Sequence, residues 1–226
     1  MEHFILRVVT FIVPLIVAVT FHEFSHIAMA RWLGDDLGTR LGRFTLDPLK
    51  HIDPIWTVGL PVLLMAMGTM SGSGVPIIAA GKPSPYNPVA LNRKFGGKRI
   101  SLRYAELLVA IAGPLSNLVL AFISLFGVFV LLRMGYYDGE QYSASGLLTQ
   151  FVYLNVSLFV LNLIPVHPLD GAKVLVPFLP RQAAMRFEAI GPQISWFLLL
   201  ILLFGGGTFI GVPVRFIVHG MFSLLV

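Results

Sequence analysis

The sequence predicts an all-α polytopic membrane protein with about five transmembrane helices. A re-entrant or strand-like hairpin region is expected between the first two core helices. Three observations carry this reading. Of the 226 residues, 56% are hydrophobic and only 12% charged, and the mean hydropathy of +0.83 is far from that of an ordinary soluble domain. The apolar residues are gathered into runs of the length that crosses a hydrocarbon core about 30 Å thick. Between the runs lie short stretches rich in proline, glycine and charge.

Taken in order, residues 4–33 form one long helix candidate, stopped by Gly34-Asp35-Asp36. Arg40 to Pro54, "RLGRFTLDPLKHIDP", is polar and partly alternating, which predicts short strands and turns. Residues 55–80 are apolar again, but "GTMSGSGVP" at Gly68 to Pro76 interrupts them. A basic, proline-punctuated loop runs to Arg103, followed by helix candidates over 104–132 and 147–164. "PVHPLDG" closes the second of these, and Gly205-Gly206-Gly207 divides residues 188–226 into two further expected spans.

Charge and composition exclude several classes. The formal charge of +5 is concentrated in loops and is not interleaved with stacking aromatics, so no nucleic-acid partner is expected. There is no cysteine, which removes disulfides and thiolate metal sites; a bound metal must rely on histidine and carboxylate.

Within the first apolar run stands "FHEFSH", Phe21 to His26. His22 and His26 are four residues apart, so on a helix they share a face and can ligate one ion. Glu23 stands beside them as a candidate base for an activated water. Ionisable groups inside a spanning helix cost a few kcal/mol each, so three together imply a partner or a metal. A catalytic zinc site has three protein ligands. Candidates for the third are Asp170, Glu106, Glu140, Glu188, His51, His167 and His219.

Depth discriminates among these. The HExxH turn lies roughly 12 Å from Gly34 at 1.5 Å per residue, and the third ligand must come from a helix end at that height. If 55–80 crossed the membrane, Asp170 would emerge on the opposite face. If Ser71 to Gly74 is the tip of a hairpin that enters and returns, Gly34, the basic loop and Asp170 share one side. That arrangement leaves only Arg7, Arg133 and Arg215 opposite, a strong positive-inside bias. The expected topology has the N-terminus outside and the site toward the cytoplasm. His51 and His219 are read as interfacial, and the Asp53 pair with His51 as solvated loop.

"HEFSH" (His22 to His26), "AGPLSN" (Ala112 to Asn117) and "NLIPVHPLDG" (Asn162 to Gly171), in that order, resemble the site-2 protease family of intramembrane zinc metalloproteases. "LGRFTLDPLKHIDPIWT" (Leu41 to Thr57) and "GKPSPYNP" (Gly81 to Pro88) resemble its compact branch without a PDZ domain. Asp47 stands where that family usually has Asn, and His167 where an aliphatic residue or proline is usual. The resemblance implies one zinc ion held by His22, His26 and Asp170, with Glu23 as general base. It also implies cleavage within a transmembrane segment of a membrane-protein substrate, in the inner or plasma membrane of a prokaryotic cell. The chain would then be one membrane domain, 1–226, with a catalytic core over 4–171. That core comprises the first helix 4–33, the membrane-associated loop and hairpin 34–103, helices 104–132 and 147–164, and the ligand loop 165–171. The C-terminal helices over 188–226 follow it.

Asn117 has two readings, a hydrogen-bond donor to a developing oxyanion or a tie to a neighbouring helix, and the resemblance favours the first. Asn162 reads as a group near the helix end. Arg40 to Asp47 is expected to offer a strand edge to an unwound substrate. The alternatives are a membrane metallopeptidase that cuts soluble or surface peptides with Glu188 as third ligand, and a non-catalytic transporter or binding protein.

Overall fold

The structure, a computed structural model, describes residues 2–71, 81–95 and 97–225. It is an integral membrane protein built on helices. Among the described residues, three are long and apolar enough to cross a bilayer, over Phe4–Trp32, Leu102–Arg133 and Ala144–Asn162.

Helix α1 runs Glu2–Trp32 and ends where Gly34 takes φ 112°, a left-handed conformation that side chains resist. Asp35 then turns the chain. Its buried carboxylate accepts from Leu37 N at 3.0 Å and from Asn87 N at 2.8 Å, which ties the end of α1 to the loop that follows residue 80. A short helix α2, Leu37–Arg40, leads into turns.

The strands expected over Arg40 to Pro54 are not there. Gly42 adopts φ 67°, Asp47 caps a 3₁₀ turn at Pro48–Lys50, and Asp53 caps a π-helical turn at Pro54–Gly59. Each cap captures backbone N–H groups that a strand would have offered to a neighbour, so this stretch presents no edge. His51 is likewise not in a solvated loop. It is fully buried, and its Nε2–H donates to Thr45 O at 2.7 Å.

Helix α3, Leu60–Ser71, carries the apolar segment inward, and the expected hairpin tip lies largely outside the described residues. The chain resumes at Gly81, where Lys82 N donates to His51 O at 2.7 Å. The two ends of the segment 52–81 are therefore side by side. A two-stranded hairpin, β1 Lys94–Phe95 and β2 Lys98–Arg99, pairs antiparallel within the basic loop.

Helices α4, Leu102–Arg133, and α5, Ala144–Asn162, complete the core. α4 lies between α1 and α5. On one side Ala30 and Leu33 pack with Ala105 and Val109; on the other Ala121 and Leu125 pack with Val152 and Val156. Outward faces are apolar: Val9 and Val13 on α1 and Phe122, Ile123 and Phe126 on α4 are exposed, as lipid-facing surfaces require.

A short helix α6, Asp170–Leu175, follows α5. Gly171 is what lets it start there, because a Cβ would overlap the carbonyls of Leu163 and Ile164. The last helix differs from expectation. α7 runs unbroken over Arg181–Phe222, 42 residues, where two spans were expected. Each glycine costs a helix only about 1 kcal/mol, and a break would orphan backbone groups that an apolar setting cannot satisfy.

Candidate metal centre

His22 and His26 fall within α1, and both side chains are buried against α4. Each ring is fixed through Nδ1. His22 Nδ1–H donates to Asn117 Oδ1 at 2.7 Å, and His26 Nδ1–H donates to Val109 O at 2.7 Å. That pairing sets the tautomer, so both Nε2 atoms carry lone pairs and face each other at 3.1 Å.

Asp170, first residue of α6, completes a triangle. Its Oδ2 lies 3.1 Å from His22 Nε2 and 3.4 Å from His26 Nε2, yet finds no hydrogen-bond donor. Three acceptors converging without a proton between them would repel one another; a cation in their midst removes the conflict. Size fits as well. Tetrahedral ligands about 2.0–2.1 Å from zinc stand about 3.3 Å apart. Among the described residues, His22, His26 and Asp170 are the group able to hold a metal.

The approach of α4 depends on Gly113. A Cβ there would overlap His26 and come within 2.7 Å of His22 Cε1, so a bare backbone lets the second helix lie against the rings. Glu23 points into a cavity of about 210 Å³ that the three metal-binding candidates also line, together with Ser84, Tyr86, Asn162 and Lys173.

The other sequence candidates sit elsewhere. Glu188 and His219 are exposed on α7, Glu140 is exposed in the loop before α5, and Glu106 is half-buried on α4. His167 packs on Phe187 at 5.1 Å and against Gly191. Asn162 lines the cavity while its Nδ2 donates to Leu158 O at 2.9 Å.

Asn117 is fully buried and its amide hydrogens are committed. Nδ2 donates to Ala18 O at 3.3 Å and to Asn155 Oδ1 at 3.1 Å, while Oδ1 receives His22. No donor is left for an oxyanion. Asn155, itself held by Phe151 O at 2.9 Å, was not singled out from the sequence, although a buried amide in an apolar span is a visible signal. Ser84 was also missed. Nothing in a proline-rich loop marks a serine as a neighbour of Glu23.

Comparisons with known proteins agree with the geometry. The family model described as Peptidase family M50 matches residues 134–202, the part that carries Asp170. The chain is 36% identical over 198 residues to the candidate zinc metalloprotease YwhC of Bacillus subtilis (strain 168), covering 85% of this chain and 78% of the relative. It is 32% identical over 183 residues to the candidate zinc metalloprotease Rip2 of Mycolicibacterium smegmatis, covering 80% and 61%. With Rip2 of Mycobacterium tuberculosis (strain H37Rv) it shares 31% over 201 residues, covering 87% and 68%. No solved structure matches the chain. An HExxH pair and a distant aspartate meeting at one point, in a chain similar along most of its length to these relatives, make it a member of the site-2 protease family of zinc metalloproteases, peptidase family M50.

Proposed function

We propose that the protein is an intramembrane zinc metalloprotease that hydrolyses peptide bonds within or near transmembrane segments of membrane-protein substrates. The observation that carries this reading is the convergence of Asp170 on His22 and His26 beside Glu23, the latter three standing in a helix long and apolar enough to span the bilayer.

His22, His26 and Asp170 would hold the ion. Zinc supplies a Lewis acid that polarises a peptide carbonyl and brings the acidity of water to near neutrality. Glu23 takes the proton from the attacking water and returns it to the leaving amine. Asp170 contributes negative charge that offsets the cation in an apolar setting. Asn117 is a positioning residue: it orients His22 and is itself oriented by Asn155, so a chain of amides runs from the metal centre across three helices.

The site opens toward the cytoplasm in this reading, in a bacterial inner or plasma membrane with the N-terminus outside. The contact of Lys82 N with His51 O supports it, because a segment whose ends touch returns to the side it left. The positive charges of the loops around it point the same way.

Cleavage of a single-pass membrane reporter by the purified protein tests the function. Wild type is expected to cut within the membrane segment and Glu23→Gln to be inactive. Cleavage confined to a soluble peptide of the same sequence would favour the rival metallopeptidase, and full activity in Glu23→Gln would end the protease reading.

A further inference from the structure

The loop that begins at Gly81 returns to the site and touches the proposed base. Ser84 Oγ lies 2.6 Å from Glu23 Oε2 and 2.9 Å from Glu23 O. A hydroxyl has one proton to give, and 2.6 Å is the separation of a charge-assisted bond to a carboxylate. The proton therefore goes to Oε2. The other oxygen, Oε1, lies along bare backbone: a Cβ on Gly81 would stand 3.0 Å from Oε1 and 2.8 Å from Val19 Cγ1. Glu23 thus sits in a slot, one oxygen held by a hydroxyl and the other beside a residue with no side chain.

The slot is itself anchored. Lys82 N donates to the carbonyl of buried His51 at 2.7 Å. The Arg43 guanidinium donates to Lys82 O at 3.1 Å and Pro83 O at 3.3 Å, which pins the backbone on both sides of Pro83. Farther along, the Lys173 ammonium lies 4.7 Å over the Tyr86 ring, so the loop is also tied to the helix that carries Asp170. These contacts hold the hydroxyl in place rather than leaving it on a free loop.

We propose that Ser84 is a positioning residue for Glu23, fixing one carboxylate oxygen so that the other is presented to the water and leaving amine in the cavity. The inference rests on Glu23 acting as the base. A glutamate carboxylate is separated from the backbone by three rotatable bonds, and an unanchored one spreads over several rotamers. Misplacement of a reacting group by an ångström costs up to a hundredfold in rate.

The test is steady-state cleavage of the membrane reporter by Ser84→Ala, Ser84→Thr and Glu23→Gln, each with zinc content and thermal midpoint measured. Ser84→Ala is expected to lose about ten- to a hundredfold in kcat with KM, zinc content and midpoint close to wild type. Ser84→Thr, which keeps the hydroxyl, is expected to recover most of the rate. Wild-type kcat in Ser84→Ala alongside an inactive Glu23→Gln overturns the proposal and leaves Glu23 as base. So does a raised KM that Ser84→Thr shares, which would mark the loop as a substrate wall, or a loss of zinc or folding in Ser84→Ala. An active Glu23→Gln removes the reading beneath it instead.

Discussion

The Oδ1 atom of Asn117, deep in α4, accepts the Nδ1 proton of His22 at 2.7 Å, and the rest of that amide is spent on Ala18 and Asn155. The side chain that looked from the sequence like a donor to substrate is turned toward the protein. Asn117→Ala is expected to weaken zinc binding by about ten- to a hundredfold, the usual cost of losing a group behind a ligand histidine. Asn117→Asp, which keeps the acceptor, is expected to bind zinc more nearly as wild type does. Competition against a chelator of known affinity measures both.

Gly113 carries the close approach of α4 to both rings. Gly113→Ala must push α4 away or turn His26 from its place. A loss of about 1–3 kcal/mol in stability is expected from overpacking, together with lowered zinc content, and thermal unfolding with metal analysis reads the two together. Gly127→Ala on the same helix is the control. It meets only the flexible end of Leu148, at 3.0 Å, and is expected to keep its zinc.

The contact between Lys82 and His51 makes a prediction about sidedness. The chain has no cysteine, so single cysteines report location without a background. Cysteines at Lys50, Lys82 and Lys173 are expected to react with a membrane-impermeant reagent from the cytoplasmic side only. A cysteine at Tyr137, exposed between α4 and α5, is expected to react from the opposite side. Labelling of Lys50 and Lys82 positions from different sides would mean that the segment between them crosses.

How much of this was legible in the sequence depends on the range of the interaction. The spacing of His22, Glu23 and His26 is a one-turn relationship, readable as soon as the run is taken as a helix. Asp170 was one of several possible third ligands on spacing and depth, and the resemblance of its motif to the family is what singled it out. Loop packing was not legible in the same way. His51 was read from the sequence as interfacial, in a solvated loop, but it is fully buried, its ring bonded to Thr45 O and its carbonyl to Lys82 N. The alternation over Arg40 to Asp47 suggested strands, but Gly42, Asp47 and Asp53 turned each piece into a capped turn. Gly205 to Gly207 suggested a break, yet glycine permits a bend without requiring one, and α7 continues through it. Ser84 and Asn155 needed the fold itself, since each gains its meaning from a partner on another helix.

The most direct test concerns the distant aspartate. Zinc per chain, measured on purified wild type, Asp170→Ala and Glu23→Gln, separates ligand from base. One zinc per wild-type chain is expected, retained in Glu23→Gln with cleavage abolished, and lost or greatly weakened in Asp170→Ala. Full zinc occupancy and cleavage in Asp170→Ala would contradict a metal centre built from His22, His26 and Asp170.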